Sequence, residues 1–394
     1  MVTSHSDSLS AAYRQQLVTT LQKKGAIRRP HLAQAFARIP REEFVSFFYD
    51  RPPGQHIWEM YSSENMELAD WLAVVYQDRS LITQITHNIP TSSSSMPSVM
   101  AEMLEALDVQ VGQRVLEIGT GTGYNAAILA ELVEDPTLVT TVDLDGDLTD
   151  RARQLLHQIV GQVYVYARDG SLGESAHAPY DRIIVTASVS SLPREWYKQL
   201  APGGRLVVAL QGTLGESGFL VIEKASNGQS ASGQFLAPSL HFMPLRTPEV
   251  SPLSSARELF QQAVGSDVQL QPEHRFLTLL QNHTFRWFMQ WWWPGSIAIN
   301  QATMPNKEHI IILMDQGNRT ILQLKQYEDG WWRGKQHGNF PLWKTIEQAI
   351  EGFSALGEPE RWLYQVQIDE QEARLQIFDT SEQVHFICDL YQPR

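Results

Sequence analysis

The sequence predicts an α/β fold: a parallel sheet of strand–helix units, with a helical lead-in before it and an additional α+β domain after it. Three observations predict this. Between Arg114 and Leu210 short apolar runs alternate with stretches of helical periodicity, the pattern of a parallel sheet with right-handed crossovers. The chain has 394 residues, more than one ordinary core accommodates. Beyond about residue 256 the composition shifts, and eight of the 11 tryptophans lie between Trp287 and Trp362.

Taken in order, residues 1–40 read as helical, with Leu17, Leu21, Leu32, Phe36 and Ile39 at helical spacing around a break at Gly25. Residues 41–60 are aromatic and interrupted by Pro52-Pro-Gly54, which predicts an irregular segment. An amphipathic stretch carries Leu68, Trp71, Leu72 and Val75. Thr91-Ser-Ser-Ser-Ser-Met-Pro97 is polar and turn-like, and a helix through Met100, Met103, Leu104 and Leu107 follows. Strands are expected at 115–118, 138–142, 163–166, 183–186 and 206–210, with helices at 124–133 and 148–160 between them. Residues 218–223 and 235–244 predict an antiparallel closing pair, separated by a loop at 225–233. A Pro- and Ser-rich boundary falls at 246–256. Strands are then expected at 310–314, 320–327, 364–368 and 374–378, with a helix at 341–356. The expected division is a helical segment 1–80, an α/β domain 81–245 and an aromatic-rich α+β domain 256–394.

Composition narrows the function classes. Hydrophobic residues make up 43% and charged residues 19%, a globular balance. The formal net charge of −13 argues against a nucleic-acid partner, which calls for clustered Lys and Arg. No apolar run is long enough to cross a bilayer, and no basic-then-apolar signal segment opens the chain, so no membrane association is expected. The single cysteine, Cys388, sits in a strand-like run and reads as a buried structural thiol in a cytoplasmic protein. The 12 histidines are scattered without ligand-like spacing, so no metal site is expected.

The chemistry concentrates at Val115-Leu-Glu-Ile-Gly-Thr-Gly-Thr-Gly-Tyr124. A strand ends in a glycine loop that opens a helix, so backbone can approach a ligand closely. The loop lacks the G-x-x-G spacing of dinucleotide sites, and Glu117 would repel a pyrophosphate. A cationic ligand fits better, and S-adenosyl-L-methionine carries both a sulfonium and an amino group. Asp143, at the end of the next strand and about 20 residues beyond the loop, is placed to accept the ribose hydroxyls. Leu144 follows it at the strand end. After the third strand, Asp169-Gly170 is placed to meet the adenine edge. The expected cofactor contacts are Glu117, Gly119, Thr120, Gly121, Gly123, Asp143, Leu144, Asp169 and Gly170. Asp145 and Asp147 read as ordinary residues of a helix N-terminus, and Asp181 as a structural turn group. After the fourth strand the chain reads Thr186-Ala-Ser-Val-Ser190 and not the Asn/Asp-Pro-Pro-Tyr motif of many amino-group methyltransferases, which points to an oxygen acceptor.

Gln113–Ala127, together with Asp169-Gly170, Ala178-Pro-Tyr-Asp-Arg-Ile-Ile184 and Ala201-Pro-Gly-Gly-Arg-Leu206, resembles the protein-L-isoaspartate O-methyltransferases over roughly residues 80–245. The resemblance implies a Rossmann-like methyltransferase fold and methyl transfer to the carboxylate of a damaged aspartyl residue. Trp71–Tyr76, Thr83-Gln84, Pro90–Ser98 and Gln336-His-Gly338 with Leu342-Trp343 are similar to methyltransferases encoded beside ATP-grasp or lanthipeptide maturation enzymes. That likeness implies methylation of an aspartate in a ribosomal peptide, with collapse of the ester to aspartimide or isoaspartate. Met96 stands before Pro97 where the repair enzymes commonly carry Gln. The resemblance puts Ser95 in the place of the repair enzymes' active-site serine, so Ser94 and Ser95 are the candidate catalytic residues.

Such a reaction needs little acid–base chemistry, because the acceptor carboxylate is already ionised at neutral pH. Positioning and desolvation carry it, and hydroxyls that hold a carboxylate without neutralising it suit the task. By composition alone the four serines also read as a plain polar loop. Phe285-Arg-Trp-Phe-Met-Gln-Trp-Trp-Trp293 reads as a core or interface cluster, with a peptide-binding surface as the alternative, and Trp331-Trp332 and Trp343 are similar candidates. Two other functions fit parts of the pattern: a catalytically silent cofactor- or peptide-binding protein, and a small-molecule O-methyltransferase.

Overall fold

A computed structural model describes residues 2–52, 54–55, 57–237, 239–246, 265–293, 295, 297–303, 309–315, 317–378 and 383–391. Three helices open it, α1 (Val2–Lys23), α2 (Pro30–Arg38) and α3 (Arg41–Phe44). Strands β1 (Phe47–Asp50) and β2 (Glu59–Ser62) follow, then α4 (Leu68–Val75), β3 (Leu81–Thr86) and β4 (Ile89–Ser94). These four strands form an antiparallel sheet in the order β2-β1-β3-β4.

Two expectations are corrected here. The first 80 residues are not purely helical, because the aromatic run at Phe47, Phe48 and Tyr49 forms a strand that pairs with β2. The serine run is a strand, not a turn: Ser92 and Ser94 are buried and β4 pairs with β3 across two irregularities. Serine has little strand propensity, so pairing and burial decide its conformation.

The α/β body runs through α5 (Pro97–Leu107), β5 (Val115–Ile118), α6 (Tyr124–Val133), β6 (Val139–Asp143), α7 (Gly146–Ile159) and β7 (Tyr164–Ala167). It continues with β8 (Tyr180–Val189), α8 (Arg194–Gln199), β9 (Leu200–Gln211), β10 (Ser217–Lys224) and β11 (Ala231–Leu236). Strands β5 to β9 are parallel, and β10 and β11 add antiparallel. The expected last strand at 235–244 begins and ends earlier, because the connecting loop is shorter and Leu236 already pairs with Phe219. Alternate residues feed opposite faces: Val207 and Ala209 pack with the N-terminal helices, Leu206, Val208 and Leu210 with the C-terminal region.

Downstream lie β12 (Gly265–Leu270), α9 (Arg275–Leu279), α10 (His283–Trp292), β13 (Ile297–Thr303), β14 (His309–Asp315), β15 (Thr320–Gln326) and β16 (Trp332–His337). Then come α11 (Leu342–Ala355), β17 (Tyr364–Ile368), β18 (Ala373–Phe378) and β19 (Val384–Asp389). Strands β12 to β16 make a separate five-stranded sheet. The last three do not. Strand β17 pairs with β11, so the main sheet has ten strands in the order β19-β18-β17-β11-β10-β9-β8-β5-β6-β7. The aromatic-rich region is therefore joined to the α/β body by backbone hydrogen bonds, a pairing that local composition does not reveal. Most of the expected boundary, residues 247–256, lies outside the described residues.

Helix α10 seals this junction. Trp287, Trp291 and Trp293 are fully buried, and Trp287 packs edge-on against Phe235 and Tyr364. The aromatic run is core and not an exposed peptide-binding surface, except for Trp292, which is 36% exposed. Trp332 is buried and Trp331 and Trp343 are half-buried. Cys388 is buried and forms no disulfide. Among the described residues no helix is long and apolar enough to cross a membrane.

Candidate active site

The strand order reverses at β5: the chain steps outward through β6 and β7, then returns to β8 on the other side. Parallel sheets bind ligands at such a switch point, beyond the carboxyl ends of the strands. A cavity of about 440 Å³ lies there. It is lined by the ends of β5, β6 and β8, by β4 and by the segment His241–Arg246. Its size suits a nucleoside-sized ligand.

Glu117 forms part of its floor and is fully buried. Asn125 Nδ2 donates to Glu117 Oε1 at 2.7 Å, and Thr141 Oγ1 donates to Oε2 at 2.6 Å. Both partners are neutral. Burial pushes the Glu117 carboxyl up to about 7, against the lowering effect of those two hydrogen bonds, and nearby Asp143 adds to the rise. A cation in the cavity would restore the carboxylate. Asn125 also has a buried Oδ1 with no protein partner, an acceptor suited to an ammonium. Sequence reasoning missed Asn125; its position one residue into α6, facing the strand-end acid, was the available signal.

The glycine loop is held from behind. Gly119 N donates to Val142 O at 2.8 Å and Gly121 N to Asp143 Oδ2 at 2.9 Å. Gly119 adopts φ +104°, and a Cβ there would lie 2.4 Å from Thr186 Oγ1. Asp143 Oδ1 accepts from Asp145 N at 3.2 Å and lies 3.9 Å from Arg246 Nη2, at the half-exposed rim.

Of the expected cofactor contacts, Glu117, Gly119, Thr120, Gly121, Asp143, Leu144 and Gly170 line the cavity. Two do not. Gly123 begins α6 and packs on α7, where a Cβ would meet Ala152 Cβ at 3.2 Å. Asp169 Oδ1 caps the turn Gly170–Leu172 by accepting from Ser171 N at 2.8 Å, and the residue lies outside the cavity lining. Asp145 caps α7 and Asp181 accepts from Arg114 N, both structural tasks.

Ser92 to Ser95 all line the same cavity. The buried Ser94 Oγ accepts from Arg41 Nε at 3.2 Å. The Ser95 carbonyl accepts from Arg41 Nη2 at 3.1 Å, while its hydroxyl makes no hydrogen bond among the described residues. Among the described residues no group of three His, Cys, Asp or Glu is placed to hold a metal ion.

A switch-point cavity with a glycine loop, an acid in the floor and an acid at the second strand end defines an S-adenosylmethionine-dependent methyltransferase. The residues fit the cofactor: the floor offers a buried acid and an orphaned amide oxygen to its ammonium, and the loop offers bare backbone to its ribose. The profile of the protein-L-isoaspartate(D-aspartate) O-methyltransferase family matches residues 12–248, and the chain belongs to that family. The protein-L-isoaspartate O-methyltransferase of Aeropyrum pernix is 35% identical over 218 residues, 55% of this chain and 73% of the relative. That of Pyrobaculum islandicum is 30% identical over 233 residues, 59% of this chain and 98% of the relative. A solved protein-L-isoaspartate O-methyltransferase superposes with a TM-score of 0.53 at 22% identity, covering 95% of this chain and 99% of that one.

Replacing Asp143 by Ala is expected to weaken S-adenosylmethionine binding by about 1–3 kcal/mol, through loss of charge-assisted hydrogen bonds and of the tether to Gly121 N. Calorimetry checks this, and an unchanged dissociation constant would remove Asp143 from the ribose site.

Proposed function

We propose that the chain transfers a methyl group to a side-chain carboxylate of an aspartyl or isoaspartyl residue in a peptide or protein. The observation that carries this reading is Ser95: its uncommitted hydroxyl lines the same cavity as Glu117 and Asp143. S-adenosylmethionine supplies an electrophilic methyl group there. Glu117 and Asn125 hold its ammonium, and Asp143 its ribose. The hydroxyls of Ser95 and Ser94 would donate to one carboxylate oxygen of the acceptor and leave the other free to attack the methyl carbon, whose bond to sulfur breaks as the neutral thioether leaves. Hydroxyls do this without quenching the negative charge the reaction needs. Met243, Phe242 and Ile82 line the cavity and exclude water.

The finer reading is an aspartyl acceptor in a ribosomal peptide, whose ester collapses to an imide. It is supported by the likeness of Pro90–Ser98 to the peptide-maturation methyltransferases and by Met96 before Pro97. The single cysteine, buried and outside any disulfide, suits a reducing compartment such as the cytoplasm.

The test is a methyl-transfer assay on three acceptors: an isoaspartyl peptide, an aspartyl precursor peptide and a set of small carboxylic acids. Mass spectrometry should show a gain of about 14 Da for an ester and a loss of about 18 Da for an imide. Methylation of the isoaspartyl peptide alone would sink the finer reading. Methylation confined to small acids would sink the peptide reading altogether.

A further inference from the structure

Arg41 is fully buried, with its guanidinium inside the shell that carries the serine strand. Nε donates to Ser94 Oγ at 3.2 Å. Nη1 donates to the carbonyls of Val75 at 2.8 Å and Gln77 at 3.1 Å. Nη2 donates to the carbonyls of Arg79 at 3.2 Å, Ser94 at 3.3 Å and Ser95 at 3.1 Å. None of these six acceptors is a carboxylate. The adjacent Glu42 is taken by Ser10, Arg14 and Tyr76. A buried cation without an ion-pair partner is costly unless every donor is satisfied. Here the acceptors are the end of α4, the lead into β3 and the end of β4, so the charge fixes three chain segments relative to one another.

The consequence falls on Ser95. Its carbonyl is drawn inward to Arg41, and its side chain lines the cavity. Two of the three Nη2 contacts and the Nε contact go to Ser94 and Ser95 themselves, so half of the guanidinium's hydrogen bonds hold the segment that would orient the acceptor. We propose that Arg41 is a positioning residue for methyl transfer: it sets the Ser94–Ser95 segment at the distance from the cofactor at which an acceptor carboxylate is held in line. The proposal rests on the reading of Ser95 as the carboxylate-holding hydroxyl. It predicts that Lys is a poor substitute, because a compact ammonium cannot reach acceptors spread around a planar fork.

The experiment uses the full chain, the isoaspartyl peptide of the assay above, and four proteins: wild type, Arg41→Lys, Ser95→Ala and the double variant. Arg41→Lys should lower kcat about 10–100-fold, the scale of a misplacement of about 1 Å. Its S-adenosylmethionine affinity and its KM for the peptide should stay within about threefold of wild type, because Arg41 makes no hydrogen bond to Glu117 or Asn125 and meets the cofactor side only over the Tyr124 ring, at 6.0 Å. On the Ser95→Ala background Arg41→Lys should cost clearly less than on wild type, because part of its effect passes through that hydroxyl. An unimpaired kcat, or a loss that is as large without Ser95 as with it, overturns the proposal. So does loss of cofactor binding, which would make Arg41 a residue of the fold at large. A Ser95→Ala variant as fast as wild type instead removes the reading of Ser95 beneath it.

Discussion

Glu117→Gln is expected to weaken S-adenosylmethionine binding by about 10–100-fold while making the cofactor-free protein more stable at neutral pH. The two effects share one cause. Glu117 is buried between neutral donors, and its carboxyl is pushed up to about 7. The folded chain therefore holds this proton more tightly than an unfolded chain, whose carboxyl titrates at its ordinary value of 4.5. Stability from this group is fully present below the unfolded value and is lost as pH rises through about 7. Gln keeps the shape without the charge and should recover about 1–3 kcal/mol at pH 8, read as a rise in Tm, and nothing at pH 4. Binding has the opposite sign. The cofactor's ammonium prefers the carboxylate, so wild-type affinity should rise about 5–10-fold from about pH 5.5 to about pH 6.5, below the range where an α-amino group itself loses its proton. In Glu117→Gln that rise should be absent. A wild-type affinity flat over this interval would refute the pairing of Glu117 with the ammonium.

Gly119→Ala is expected to abolish measurable cofactor binding, a loss of more than about 100-fold. At φ +104° any side chain costs roughly 1–2 kcal/mol in backbone strain. The new Cβ would also lie 2.4 Å from Thr186 Oγ1. That hydroxyl cannot swing aside freely, since it donates to Ile118 O at 3.0 Å and Gly119 O at 2.8 Å. The loop must open, and the backbone that faces the cofactor moves with it. Gly112 separates the two causes. It has φ +79°, yet a Cβ there meets nothing within 4 Å. Gly112→Ala should show the strain as lost stability and leave the dissociation constant unchanged. Equal binding by wild type and Gly119→Ala would mean that this loop does not approach the cofactor.

Much of the cofactor floor was legible because it is written locally. The strand 115–118, the glycine loop and Asp143 declare themselves through apolar runs and turn chemistry within a few dozen residues. Asp169 shows the limit of that reasoning: an acid after a strand can face a ligand or cap the next turn, and the sequence is the same in both cases. Asn125 and Arg41 were silent for a different reason. Asn125 acquires meaning only when α6 folds back onto β5. Arg41, in the run Arg41-Glu42-Glu43, looks like part of a solvated charged stretch, and only the packing of α4, β3 and β4 around it makes it an interior cation. The serine strand inverts its own propensity for the sake of the pairing with β3. Pairing of β17 with β11 joins Ala231 to Ile368, and no local pattern records so distant a partner.

That last pairing constrains how the molecule is made. Strand β11 is synthesised with the catalytic sheet, but its outer edge waits for β17, which emerges only after the whole five-stranded sheet and helices α10 and α11 have left the ribosome. Until then the nascent protein carries an open strand edge at Phe235, a surface prone to mispairing. The long-range closure leaves the later half to cover one edge of the methyltransferase sheet, so separating the two halves would expose that edge to solvent.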